Sequence, residues 1–505
     1  MATRPNILLI TSDQQHWIAL GVQNPQVKTP NLDRLAAQGA LFERAYCPNP
    51  TCTPTRASII TGLLPSQHGA WSLGTKLPEQ VPTVGDLLTE AGYHTALVGK
   101  AHFQPLRETP QYRSVESYPT LQQLDFWKNW DQPFYGFRHV ELTRNHADEA
   151  HVGQHYAIWM EQNGCDNWRD YFRPPTGTRT SKSRTWEIPE KYHYNAWIAD
   201  RSNALIDCYA ESEEPFLLWS SFFDPHPAYL IPEPWASMYD PKDIDVPAVT
   251  PGEHDKNPIT FRMTQDKNAD FSWYSKEEHG SACHGMHCHL HDRDEMAKNI
   301  AIYYGMVSCM DHYIGKILDN LEAKGLADNT MVVFTTDHGH FFGQHGLMAK
   351  GPYHYEDLVK VPFIARWPGK IAAGQRTDAI TSLVDLTPTF LGAAGQKVPF
   401  TMSGIDQSQA WCGDAVASER DFAIVENRHN PTRVHLRTYV DARYKLTCYR
   451  GDDHGELFDL EQDPGEIDNK WDNPDYAALK SQLLLKALQR DMQSEPLHMP
   501  RISGA

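Results

Sequence analysis

Several things are scarce in this sequence. No apolar run approaches the roughly 20 residues a membrane-crossing helix needs, so no membrane partner is expected. The first apolar run, Ile7 to Ile10, is too short for the core of a secretory signal, and no small-residue cleavage site follows it; the cytoplasm is the expected location. Nine cysteines in 505 residues, an odd number at irregular spacing, exclude a disulfide scaffold and fit reduced thiols. Basic charge is also in deficit. With 46 Lys and Arg against 64 Asp and Glu the formal charge is −18, leaving no surplus to neutralise phosphates, so nucleic acid is not an expected partner. A single basic cleft for a small anion is compatible with that total. Internal repeats and low-complexity tracts are missing as well.

What is present is an ordinary globular composition, 40% hydrophobic and 22% charged, on a chain long enough for one large domain and a smaller one. "NILLITSD" (6–13) and "MVVFTTDHG" (331–339) are short apolar runs that each end on a carboxylate, as strands buried on both faces do. Between them, "TPNLDRLAAQGA" reads as a helix entered at Thr29 and Pro30 and left at Gly39. "VPTVGDLLTEAGYHTALVGK" reads as helix, glycine stop and strand, and residues 299–329 as a long amphipathic helix ending near Gly325. Strand alternating with helix predicts an α/β fold with a helix-covered, mainly parallel sheet. Ligands of such sheets bind beyond the carboxyl ends of the strands, where Asp13 and Asp337 fall. Residues 104–200 and about 233–295 read as long loops. Past residue 400 the pattern changes: "RVHLRTYVDARYKLTCYR" alternates like antiparallel strands, "GELFDLEQDPGE" is turn-rich, and "YAALKSQLLLKALQRDM" is helical. The expected division is a catalytic α/β domain at 1–400 and an α+β subdomain at 401–505.

Asp13 and the pair Asp337–His338 offer hard oxygens and an imidazole, suited either to a divalent cation or to capping strand ends. Cys52 is either a buried structural thiol or a functional one, made electropositive by Arg56 and a helix N-terminus. From these residues alone both questions stay open.

"CTPTRASIITG" (52–62) resembles the signature of the sulfatase family, Cys-x-Pro-x-Arg followed after four residues by Thr-Gly. In the family's order, "NILLITSDQ", "TPNLDRLAAQGALFERAY", "GYHTALVGKAHF", "FFDPHPAY", "TTDHGHFFGQHGLMAKGPYHYEDLVKVPFI" and "LFDLEQDPGE" are similar to its further motifs, from residue 6 to about 470. The resemblance implies an alkaline-phosphatase-like α/β sandwich with a smaller C-terminal subdomain. It implies that Cys52 is oxidised by a formylglycine-generating maturation enzyme to formylglycine (3-oxoalanine). One hydroxyl of the hydrated aldehyde then attacks sulfur, and the other expels sulfate. One divalent metal ion, Ca²⁺ or Mn²⁺, would sit on Asp13, Cys52, Asp337 and His338, with Gln14 as a neighbour. Arg56 would orient the diol, Lys100 and Lys350 would clamp sulfate, His102 would take the proton at release, and His226 would protonate the leaving alcohol.

The Asp-Gln and Asp-His pairs depart from the commoner Asp-Asp and Asp-Asn. They are similar to choline-sulfatase-like, arylsulfatase and phosphonate monoester hydrolase enzymes, and the added nitrogen ligand shifts the balance from Ca²⁺ toward Mn²⁺. The expected substrate is a small-molecule sulfate ester, with phosphonate or phosphate mono- or diesters as the alternative and a catalytically silent binding protein as a third reading. His340 and Gln344 stand where relatives often have aspartates, which predicts a less negative rim. "HGSACHGMHCHLH" (279–291) reads either as a zinc site or as a polar loop at the mouth of the site, and "DFWKNWDQPFYGF" (125–137) either as packing or as a stacking surface for substrate.

Overall fold

The computed structural model describes residues 4–144, 151–173, 183–277, 280–281, 284–430, 433–497, 499 and 501–503. Eight strands form the path of the central sheet: β1 (Asn6–Ser12), β2 (Ala40–Tyr46), β3 (His94–Gly99), β4 (His139–Leu142), β5 (Phe216–Ser221), β6 (Thr330–Thr336), β7 (Lys360–Arg366) and β8 (Gln375–Thr377). Their spatial order is β8-β2-β7-β6-β1-β5-β3-β4, with Thr381–Ser382 also paired to β2. The strands from β6 to β4 run parallel, and β7 is antiparallel to both its neighbours.

Every residue of β1 is buried because helices cover both faces of the sheet. Leu8 and Ile10 pack with Leu32, Ile198 and Ile314, from helices α1 (Pro30–Ala37), α4 (Tyr194–Tyr209) and α5 (Arg293–Ala323). Ile7 and Leu9 point the other way, into a core with Ile60, Leu88 and Phe390 from α2 (Cys52–Thr61), α3 (Val84–Glu90) and α6 (Leu386–Ala393). This is the α/β sandwich expected, and the alternation along one strand is what divides its two cores. Helix α5 starts on Asp292, whose carboxylate accepts the Asp294 and Glu295 amides at 2.9 and 3.1 Å. It is followed by Gly325 at φ 71°, a left-handed stop that glycine supplies at no steric cost.

The C-terminal part carries a four-stranded antiparallel sheet of β9 (Phe422–Asn430), β10 (Val434–Asp441), β11 (Tyr444–Tyr449) and β12 (Gly455–Asp459), covered by α7 (Ala477–Gln493) through Leu483. Two local readings change. The turn-rich "GELFD" is the fourth strand, its side chains buried on both faces. Residues 104–200 are not all loop: they contain edge strand β4, a helix at Gln154–Gln162 and the start of α4. Four-residue strands and aromatic-rich helices are too short or too uniform in hydropathy to show a period. No helix among the described residues is long and apolar enough to cross a membrane.

Candidate active site

Strand register creates the site. Ser12 pairs with Thr336 on adjacent parallel strands, so the next residues, Asp13 and Asp337, emerge side by side at the carboxyl edge. Lys100 and His102 follow β3, and His226 follows β5, at that same edge. Cys52 is the first residue of α2, whose ten residues are all buried. The preceding turn is tied down by Asn49, which accepts the Thr51 amide at 2.9 Å and hydroxyl at 2.6 Å and donates to Glu426 O. The α2 N-terminus is thereby aimed at the two aspartates, with its dipole adding positive potential at Cys52.

Asp13, Cys52, Asp337 and His338 place one ligand atom each within 4.8 Å of one another, the metal-ligating cluster found among the described residues. The Cys52 thiol lies 3.3 Å from His338 Nε2, 3.7 Å from Asp13 Oδ1 and 3.2 Å from Lys350 Nζ. His338 Nδ1 faces Gly339 O at 3.0 Å, which fixes the proton there and leaves Nε2 as a lone pair toward the cluster. Gln14 follows at φ 61°, its amide on Asp337 Oδ1. Its Nε2 donates to His340 Nδ1 at 2.8 Å, and His340 Nε2 meets the Tyr229 hydroxyl at 2.8 Å. With Nε2 on His340, the buried Oε1 of Gln14 has no hydrogen-bond partner among the described residues. A set of two carboxylates, an imidazole and an orphaned amide oxygen fits a divalent cation.

Arg56 engages both aspartates: Nε donates to Asp337 Oδ2 at 2.8 Å, and an Nη atom sits 3.4 Å from Asp13 Oδ2. Its remaining bonds go to Lys100 O and Ser221 Oγ, so it fixes the carboxylates and the ends of β3 and β5. The Lys100 ammonium is on Asp13. Burial alone would raise the Asp13 pKa, but Lys100, His226 and Arg56 hold it well below the usual carboxylate range. Burial, reinforced by Asp13, pushes the Cys52 thiol up. Burial brings His338 down to about 4. Burial, with Arg144 and Lys100, keeps His102 neutral far below its ordinary range.

All ten expected residues thus converge. Six of them (Gln14, Cys52, Lys100, His102, His226 and Lys350) line one cavity of about 430 Å³. His284 and His287 line it too, which is the polar-loop reading of the histidine-rich stretch. His289 is used structurally, between Gly285 O and the Met348 amide, and His279 and Cys283 lie outside the described residues. His340 is fully buried as the brace of Gln14 and does not form a rim, a correction to the expectation that it tunes rim charge. Trp127 and Trp130 stack on each other beside a separate cavity, and Trp127 is core.

Motif reading missed three groups. Glu116 accepts the amides of His102, Phe103 and Gln104 and so holds the turn that carries His102. Asp224, raised by burial to about 8, is held by Tyr194 and Asn195 ahead of His226, and its carbonyl accepts the Asp13 amide. Arg144 lines the cavity. Glu116 and Arg144 sit in no short motif and reach the site from irregular segments, whereas Asp224 lies inside "FFDPHPAY", where only His226 was read as functional.

The family described as Sulfatase matches residues 5–396, and a second, N-sulphoglucosamine sulphohydrolase, C-terminal, matches 343–493. An arylsulfatase of Clostridium perfringens is 27% identical, with 94% of this chain and 91% of that protein covered. The multifunctional alkaline phosphatase superfamily protein PehA of Trinickia caryophylli is also 27% identical, over 96% and 95%. The phosphonate monoester hydrolase of Silicibacter pomeroyi superposes with a TM-score of 0.79 at 24% identity, covering 97% of this chain and 96% of that one. With the sulfatase match extending over well more than half its length, and relatives aligned nearly end to end, this chain belongs to the sulfatase family, enzymes of the alkaline phosphatase superfamily.

Proposed function

We propose that this enzyme hydrolyses small-molecule sulfate esters through Cys52 after its conversion to formylglycine by a maturation enzyme. We assign one divalent cation, Mn²⁺ or Ca²⁺, to Asp13, Asp337, His338 and the converted residue 52, with Gln14 adding its oxygen. When present, the hydrated aldehyde supplies a geminal diol, and the cation supplies acidity and charge neutralisation. The observation that carries the reading is the position of Cys52: it touches the metal-ligating cluster on one side and Lys350 on the other.

The remaining work falls to this chain's side chains. Lys350 Nζ, 3.2 Å from Sγ, stands where an oxygen of the transferring sulfate meets the nucleophile. Lys100, at the end of β3 beside Asp13 and on the cavity wall, is the second clamp for the sulfate oxygens. His226 Nε2, 3.5 Å from Lys350 Nζ on the cavity wall, is placed to protonate the leaving alcohol. His102, held neutral, can take the proton whose removal releases sulfate. Arg56 acts by holding both aspartates in place and so orienting the diol beside them. The division into 1–400 and 401–505 belongs to the same proposal.

The likeness in fold to a phosphonate monoester hydrolase favours one second reading, a phosphonate or phosphate ester hydrolase on the same residues. Turnover on matched aryl sulfate, phosphate and phosphonate monoesters decides between them, with Cys52→Ala as blank and mass spectrometry of the Ala45–Arg56 tryptic peptide to verify conversion. Sulfate ahead by orders of magnitude is expected. A phosphorus ester ahead would replace the reading, and full activity with an intact thiol would overturn the mechanism.

A further inference from the structure

Three cations line the cavity over Cys52 and another, Arg56, is buried behind it; three of the four have identifiable work. Arg56 is bonded to Asp337 and Asp13, Lys100 is paired with Asp13, and Lys350 faces the nucleophile. The fourth is Arg144, two residues beyond edge strand β4. It is 4% exposed and lines the cavity, yet its buried Nε has no hydrogen-bond partner among the described residues. Among the described residues its one ion-pair partner is Glu116, whose Oε1 lies 3.9 Å from Nε, beyond hydrogen-bond reach. Glu116 is in any case already occupied by three backbone amides.

A guanidinium carries five donors in a fixed fork and does not shed its charge. Buried cations of this kind are kept where something pairs with them. Arg144 also lies within the electrostatic field of Cys52 and Asp13, so the hydrogen-bonding capacity that Glu116 leaves unused lies beside the reacting centre. The transferring sulfate brings only one negative charge, and Lys350 already stands at it. The cavity, about 430 Å³, is also larger than a sulfate group requires, and Leu73, Leu106 and Pro227 give it apolar wall for a carbon skeleton.

We propose that the alcohol half of the substrate carries a second anionic group, a carboxylate or a further sulfate, and that Arg144 binds it. Arg144 is then a specificity-determining residue, reading a charge on the part of the substrate that does not react. This rests on the sulfate-ester reading above.

The test uses isosteric pairs: 2-carboxy- and 2-carbamoyl-4-nitrophenyl sulfate, and the 3-substituted pair, turned over by the converted enzyme and by Arg144→Gln and Arg144→Lys. The converted enzyme is expected to favour the carboxylate of at least one pair by roughly 10- to 100-fold in kcat/KM, the factor a charge-assisted hydrogen bond carries, mainly through KM. In Arg144→Gln that ratio falls to near one, and Arg144→Lys keeps part of it because its point charge lacks the fork. A sulfonate and sulfonamide pair shows which anion the fork prefers. The proposal is overturned if the converted enzyme shows no preference in any pair. It is overturned equally if Arg144→Gln slows every ester by the same factor with the ratio unchanged, which would place Arg144 on the transferring group or in bracing Glu116. If sulfates fail and phosphonate monoesters are turned over, the sulfate reading falls alone, and the same substituent pairs on the phosphonate test Arg144. Calorimetric binding of the paired esters to Cys52→Ala, with and without Arg144→Gln, reads the same ratio without any turnover.

Discussion

Glu116→Gln tests whether the geometry of the His102 turn, and not merely the presence of its histidine, limits turnover. Glu116 is 1% exposed. Its Oε1 accepts the His102 amide at 2.8 Å, while Oε2 accepts those of Phe103 at 2.9 Å and Gln104 at 2.8 Å. Three donors aimed at two oxygens require a carboxylate, since a carboxamide has one oxygen and presents hydrogens on its other end. Glutamine therefore leaves one or two buried amides facing a donor. At roughly 1–3 kcal/mol for each buried unsatisfied group, the cost is about 1–6 kcal/mol. For a chain of 505 residues that corresponds to a fall in Tm of roughly 1–6 °C. The larger effect falls on catalysis. His102 sits at φ 60°, a left-handed conformation its neighbours must maintain. A shift of its imidazole by about 1 Å costs on the order of 100-fold in rate. The expected result is a kcat lowered about 100-fold with a burst of the first phenol preserved, because His102 serves the release step. Differential scanning fluorimetry and stopped-flow absorbance on an aryl sulfate measure both quantities. A variant with parental Tm and parental kcat would refute the reasoning, and a lost burst would move His102 to the first chemical step.

Other perturbations follow from the same geometry. Gln14→Ala removes the orphaned oxygen, and metal affinity measured by calorimetry should weaken roughly 10- to 100-fold, with a small fall in the Tm of the metal-free protein from the lost His340 bond. Arg420→Ala breaks a two-point pair with Asp385, both side chains being at most 4% exposed, and should cost about 3–5 kcal/mol of unfolding free energy measured by denaturant titration. Burial raises Glu456 from 4.5 to about 7, and Tyr449 and Lys445 only partly offset it. A folded-state value above the unfolded one means the folded protein holds this proton more tightly. Its contribution, on the order of 3 kcal/mol, is therefore complete below about pH 4.5 and lost as pH rises through about 7. Denaturation of Glu456→Gln across that window should show a flatter pH dependence than the parent, and an identical slope would contradict the assignment.

How far the site could be read from sequence depended on how each residue reaches it. Asp13, Lys100 and Asp337 stand one residue past a buried strand, so an apolar run ending in a polar residue announced them. The neighbouring parallel register then determined that the two aspartates meet. Cys52 was legible as the start of a helix, although its chemistry was not, since a buried thiol and a precursor of an aldehyde have the same local pattern; the wider resemblance is what favours the second. His340 was misread because adjacency in a motif was taken for exposure. Its ring is turned inward by hydrogen bonds to Gln14 and Tyr229, from strand ends far apart in sequence. Glu116 and Arg144 were illegible for a related reason. They come from the aromatic-rich segment after residue 104, where no period exists, and each is defined by what it faces in space. Residues that hold the reacting atoms sit at strand ends and recur in short motifs, whereas residues that select the substrate arrive on irregular segments. That division makes Arg144, and not any residue of the signature, the place where this enzyme's own substrate should be sought.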